Sequence, residues 1–147
     1  MNKETKKQLE TLNQQMKEIT AVYHYSAIKF GISDSEFWVL YALLVLDGEY
    51  SQQDICEMWS LPKQTVNSVI RNMVKKGYVF LETIPGTRNR KIIRLTEDGK
   101  AFGENTVMRI YELEQRALLK MSEQERQTCI QLLSKYMTFL SEEIYVK

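Results

Sequence analysis

The sequence predicts a mainly α-helical fold with one small β-hairpin. Three observations predict it. Apolar residues recur at helical spacing over both ends of the chain. Two short runs of strand-forming residues, Tyr78 to Ile84 and Lys91 to Leu95, flank a Pro85-Gly86 turn. Between Ser51 and Gly99 the elements follow the order helix, turn, helix, strand, basic loop, strand. That is the order of a winged helix-turn-helix, with the hairpin as its wing.

Lys3 to Phe30 reads as one long helix, because Leu9, Leu12, Met16, Ile19 and Tyr23 repeat at steps of three and four with Lys and Glu around them. So narrow a stripe needs a surface to lie against. Gly31 supplies the stop. Ser33 and Glu36 have the spacing of a capping box, and the run from Phe37 to Leu46 is apolar almost all round, which places that helix in the middle of the core. Asp47-Gly48-Glu49 is a turn. Ser51 with Asp54 caps the next helix, whose Ile55 and Trp59 should pack inward, and Cys56 is expected to be buried and inert.

The second helix of the pair starts at Pro62, where a missing N–H costs little, and stops at Gly77 after Lys75 and Lys76. Its buried face is Val66, Val69, Ile70 and Met73. Gln64, Thr65, Asn67, Ser68, Arg71 and Lys75 remain outside. Beyond the wing, Thr96 opens another long helix with Val107, Ile110, Leu113, Ala117 and Met121 along one face. A second capping box, Ser122 with Glu125, starts the last helix. Ile130, Leu133, Met137, Leu140 and Ile144 form one apolar face of it, and Leu132, Tyr136 and Phe139 a second. Two faces exceed what one small winged helix can cover. The termini are therefore expected to build a helical dimerisation layer in a two-fold homodimer. The expected organisation is a single unit over 1–147, with a DNA-binding region at 33–99 and helical dimerisation regions at 1–30 and 100–147.

Charge distribution points to the partner. The chain carries only +1 overall, yet from Ser60 to Arg94 eight positive residues face Glu82 alone, giving +7 there and −6 elsewhere. Polar side chains on the second helix can hydrogen-bond base edges and phosphates in a major groove. A hairpin with a cationic tip suits a minor groove. The expected DNA-binding residues are Ser51, Gln52, Lys63, Gln64, Thr65, Asn67, Ser68, Arg71, Lys75, Arg88, Arg90 and Lys91.

Several short pieces in this order resemble the MarR family of bacterial winged helix-turn-helix transcription regulators. They are Asp54-Ile55, Lys63-Gln64-Thr65-Val66-Asn67, Lys76-Gly77-Tyr78-Val79 and Leu95-Thr96-Glu97-Asp98-Gly99. The flanks fit as well, so the resemblance covers nearly the whole chain. It implies intertwined termini, two winged helices projecting from one side of a dimer, a pseudo-palindromic operator and a repressor. Two departures stand out. Relatives often carry an arginine where this chain has Ser68, and their wing commonly carries Asp-x-Arg where this chain has Thr87-Arg88-Asn89-Arg90. Some relatives sense peroxides through a cysteine near the start of the chain, but none precedes Cys56 here. Others bind small aromatic or phenolic compounds in a cleft, which Tyr23, His24, Phe30, Trp38 and Tyr41 could line.

Other classes are disfavoured. His24 is the only histidine, no nucleophile signature or Gly-rich phosphate loop is present, and Cys56 and Cys129 are too far apart in sequence to read as a metal pair. No catalysis, cofactor or metal is expected. With no apolar run of signal-peptide or membrane-spanning length, the expected location is cytoplasmic. A winged-helix protein-interaction module that does not read DNA sequence is the competing function.

Overall fold

The computed structural model describes residues 1–146. Among them are seven helices and one two-stranded antiparallel sheet: α1 (Lys3–Phe30), α2 (Asp34–Val45), α3 (Gln52–Trp59), α4 (Lys63–Lys75), β1 (Val79–Thr83), β2 (Lys91–Leu95), α5 (Glu97–Glu104), α6 (Val107–Leu119) and α7 (Glu123–Tyr145). The mainly helical fold with a hairpin wing is as the sequence predicts. Two compact units divide the chain, residues 1–110 and 111–147.

Local chemistry sets the helix ends. Asn2 accepts the Glu4 N–H at the start of α1. Gly31 closes the helix in the left-handed conformation at φ 72°, and the Ile32 N–H bonds back to Ala27 O. Ser51 and Asp54 form a complete capping box on α3, as Ser122 and Glu125 do on α7. At α2 only half of the expected box forms. Ser33 accepts the Glu36 N–H, but the Glu36 carboxylate is buried and takes the Lys76 ammonium at 3.2 Å. A buried carboxylate gains more from a cation than from one backbone N–H, so Glu36 ties the start of α2 to the end of α4. Pro62 occupies the residue just before α4. The tight return after α4 uses Gly77 at φ 76°, with its N–H on Val74 O and the Tyr78 N–H on Met73 O.

In the first unit the core is built from Phe37, Val39, Leu40 and Ala42 of α2, Ile55 of α3, Val66, Ile70 and Met73 of α4, and Val79 and Ile93 of the hairpin. Each large apolar side chain there contributes about 1.5–3 kcal/mol by leaving water. Three such anchors on one side of α4 fix its rotation. Val69 and Cys56 are half-buried, against the expectation of full burial, because both lie on the flank of their helices. The hairpin pairs Val79 with Leu95, Leu81 with Ile93 and Thr83 with Lys91. The Ile93 N–H also donates to Tyr50 O at 2.9 Å, which joins the hairpin to the segment before α3.

The long helix expected after Thr96 is two helices. Asn105 turns its side-chain amide back to Ala101 O, and Thr106 its hydroxyl to Phe102 O. Both compete with the backbone ladder, two residues after Gly103, and the chain turns at Asn105-Thr106 before α6. In the second unit α7 presents Ile130, Leu133, Met137, Phe139 and Ile144 to solvent, with Tyr136 half-buried. In the first unit α1 exposes Ile19, Val22 and Ile28.

Candidate nucleic-acid interface

α4 presents the side chains the sequence assigns to it. With Val66, Ile70 and Met73 buried, helical geometry leaves Lys63, Gln64, Asn67, Ser68, Arg71 and Lys75 exposed. Thr65 differs from expectation and is half-buried. It precedes Val69 by one turn, so the two share the flank of the buried face. The exposed set mixes amides, a hydroxyl and cations, which can bond base edges and phosphates alike.

Ser51 and Gln52, at the start of α3, are half-buried. The Ser51 hydroxyl accepts the Asp54 N–H at 3.2 Å, while the Ser51 N–H donates to Asp54 Oδ2 at 2.8 Å. That backbone N–H, with smaller help from the Ser51 hydroxyl and from Arg90, holds the Asp54 carboxyl below its usual range; partial burial opposes the shift. The wing lies close by. Ser51, Gln52 and Gln53 of the α3 start and Leu81, Asn89, Arg90 and Lys91 of the hairpin line one cleft of about 300 Å³. The wing turn is held by Thr87, whose hydroxyl donates to Ile84 O at 2.8 Å, and passes through Gly86 at φ 80° and Asn89 at φ 64°. Asparagine tolerates that left-handed conformation better than most residues.

The eight cations of the basic segment separate into two groups. Lys76 pairs with Glu36, Arg90 with Asp54 at 3.4 Å, and Arg94 with Glu49 at 2.9 Å and Glu82 at 2.6 Å. Bonds to Glu82 first and Glu49 second hold the Arg94 guanidinium above its usual range. Lys63, Arg71, Lys75, Arg88 and Lys91 are exposed and make no ion pair among the described residues. Sequence reasoning missed Asp54 and Gln53 as neighbours of the wing. Asp54 and Arg90 are 36 residues apart, and nothing in the local pattern pairs them.

A second set of expected residues also converges. Tyr23, His24 and Trp38 line a cavity of about 320 Å³ with Ile19, Thr20 and Asp34. His24 Nδ1 lies 2.9 Å from both Asp34 oxygens. Tyr23 and Trp38 have ring centroids 4.9 Å apart, and Trp38 reaches Trp59 of α3 at 4.8 Å. Phe30 and Tyr41 do not line this cavity; both pack on the core. The Trp59 indole N–H is buried without a partner among the described residues. Asp34 lines the cavity too, and it carried no sequence signal for this site. No group of three or more metal-ligating side chains occurs among the described residues, and no helix there is long and apolar enough to cross a membrane.

A model of the MarR family matches residues 30–88, so the resemblance read from the sequence is borne out. No curated protein matches the chain. Among similar solved structures, a MarR family regulator from Neisseria meningitidis shares 26% identity, covers 97% of this chain and 96% of its own, and superposes with a TM-score of 0.75. A MarR/EmrR family transcriptional regulator from Acinetobacter shares 21% identity over 97% of this chain and 99% of its own, with a TM-score of 0.72. S. aureus MepR, solved in complex with DNA, shares 23% identity over 89% of this chain and 96% of its own, with a TM-score of 0.66. The last two likenesses bear on the fold.

Proposed function

We propose that this chain is a member of the MarR family of winged helix-turn-helix transcription regulators, and that it is a sequence-specific, double-stranded DNA-binding repressor acting as a cytoplasmic homodimer on a pseudo-palindromic operator. The observation that carries this reading is the exposed polar face of α4, backed by three fully buried anchors, together with a wing whose Arg88 and Lys91 make no ion pair among the described residues. In this reading Lys63, Lys75 and Lys91 hold phosphates, and Gln64, Asn67, Ser68 and Arg71 read base edges. Ser51, Gln52 and Thr65 sit at the margin of the surface. The solved MepR–DNA complex supports duplex DNA as the partner class.

The apolar residues left exposed on α1 and on α7 support a dimer that would cover them. Regions 1–30 and 100–147 supply that layer, and 33–99 the DNA-binding part. A small aromatic or phenolic effector suits the cavity of Tyr23, His24 and Trp38, with Tyr41 in ring contact with Trp38 and Phe30 packed on the core. The PcaV transcriptional regulator from Streptomyces coelicolor, similar in fold and solved with its natural ligand, supports the idea of an effector.

Selection of bound sequences from random duplexes tests the reading. An enriched palindrome is the expected result. Binding without any enriched sequence would favour an interaction module in place of a sequence reader.

A further inference from the structure

The two wing arginines differ in their surroundings. Arg90 Nη2 lies 3.4 Å from Asp54 Oδ2, the oxygen that also accepts the Ser51 N–H in the α3 capping box. The wing is thereby tied to the start of α3 across the cleft between them. Arg88 is exposed and has no ion pair among the described residues. Were the loop extended, positions 88 and 90 would share a face. Asn89, left-handed at φ 64°, breaks that alternation.

We propose that Arg90 is a positioning residue, a strut that seats the wing on α3 through Asp54, and that Arg88 is the wing arginine which meets DNA. The assignment rests on the DNA-binding reading above. Moving Arg90 into a groove would break its pair and turn the bare Asp54 carboxylate toward the phosphates, where like charges repel. Moving Arg88 breaks no ion pair. The pair at Asp54 is neutral as a whole, so it adds nothing to counterion release. Arg88 adds its full charge.

The test uses the full-length protein, a mixed-sequence DNA duplex, and the variants Arg88→Ala, Arg90→Ala, Arg90→Lys, Asp54→Asn and Arg90→Ala/Asp54→Asn. Asparagine keeps an acceptor for the Ser51 N–H, so the cap on α3 survives. Two quantities are read: the slope of log K against log salt, and hydrogen exchange of the wing amides in the free protein. Arg88→Ala should flatten the slope by about one unit per protomer bound and leave wing exchange unchanged. The double variant, which removes both members of a neutral pair, should keep the parental slope while its wing exchanges faster. Arg90→Ala and Asp54→Asn should each speed wing exchange as much as the double variant does, and Arg90→Lys should restore most of the protection. A double variant that flattens the slope while Arg88→Ala leaves it intact would overturn the assignment. So would wing exchange that ignores Asp54 and Arg90. If the unsubstituted protein showed no salt-dependent binding to any duplex, the DNA-binding reading itself would fall, and the role of Arg88 with it.

Discussion

Gly99 is the position where a single methyl group should do most harm. It is buried in the first turn of α5, against the backbone of Tyr78 where α4 passes into β1. A Cβ there would overlap the Tyr78 carbonyl oxygen and stand 2.8 Å from its carbonyl carbon. Relief needs α5 and β1 to part by roughly 1 Å, since carbon atoms rest about 3.5–4 Å apart. That movement would stretch the bond from the Thr96 N–H to Tyr78 O, now 3.0 Å, and would disturb the Thr96 hydroxyl, which donates to Gly77 O and accepts the Gly99 N–H. Overpacking costs about 1–3 kcal/mol and the weakened bond about 1, while alanine returns at most about 1 in helix propensity. Gly99→Ala should therefore lose about 1–3 kcal/mol. Gly103→Ala is the control. Its Cβ would meet only the end of the Leu44 side chain, at 2.7 Å, which a rotamer change can move. That variant should stay within about 1 kcal/mol of the parent. Urea denaturation of the three proteins, followed by far-UV circular dichroism, measures the difference. A Gly99→Ala protein as stable as the parent, or less affected than Gly103→Ala, would refute the reasoning.

Other outcomes are expected together. With Lys63, Arg71, Lys75, Arg88 and Lys91 making no ion pair among the described residues, the proposed dimer should bind operator with a salt slope of roughly −5 to −9, and a slope near zero would exclude this electrostatic mode. Asn67→Ala or Gln64→Ala should cost roughly 1–3 kcal/mol on operator DNA and little on a scrambled duplex; equal losses on both would reduce α4 to an anchor. Sedimentation at micromolar protein should show a dimer, and a well-folded monomer would end that model. The Asp54 and Glu125 carboxyls are both held low, first by the backbone N–H groups of Ser51 and Ser122 respectively. A depressed carboxyl stabilises the fold above its unfolded pKa, and that stability is lost as pH falls through the folded value. Capping at α3 and α7 should hold at neutral pH and fail only below about pH 4, visible as a fall in thermal midpoint on acidification. A midpoint that fell between pH 7 and 5 would point to other groups.

What was legible in the sequence is what depends on neighbours along the chain. The three-and-four spacing of Val66, Ile70 and Met73 marked the buried side of α4, and with it the exposed set from Gln64 to Lys75. Ser51, Ser122 and Gly31 marked helix ends, because caps and left-handed stops are built from residues close in sequence. Long-range pairing was not legible. Glu36 has the spacing of a capping residue and yet turns to Lys76, 40 positions away. Arg90, Arg94 and Lys76 count as three of eight positive charges in the sequence, and folding spends each of them on a carboxylate. The break at Asn105-Thr106 was hidden because two side chains bonding back to carbonyls leave the apolar periodicity intact.

The bond from the Ile93 N–H to Tyr50 O bears on how such proteins avoid joining each other wrongly. A two-stranded hairpin has two free edges, and each can recruit a strand from another molecule. The Ile93 N–H turns away from β1, so it belongs to the outer edge of β2. Tyr50 occupies the middle of that edge with its own carbonyl, and Lys91, at the start of the same strand, adds a charge an incoming strand would have to bury. A second copy arriving along β2 would find its central donor already engaged. The outer edge of the wing would thus be kept from pairing with a strand of another molecule by one backbone group supplied from outside the hairpin.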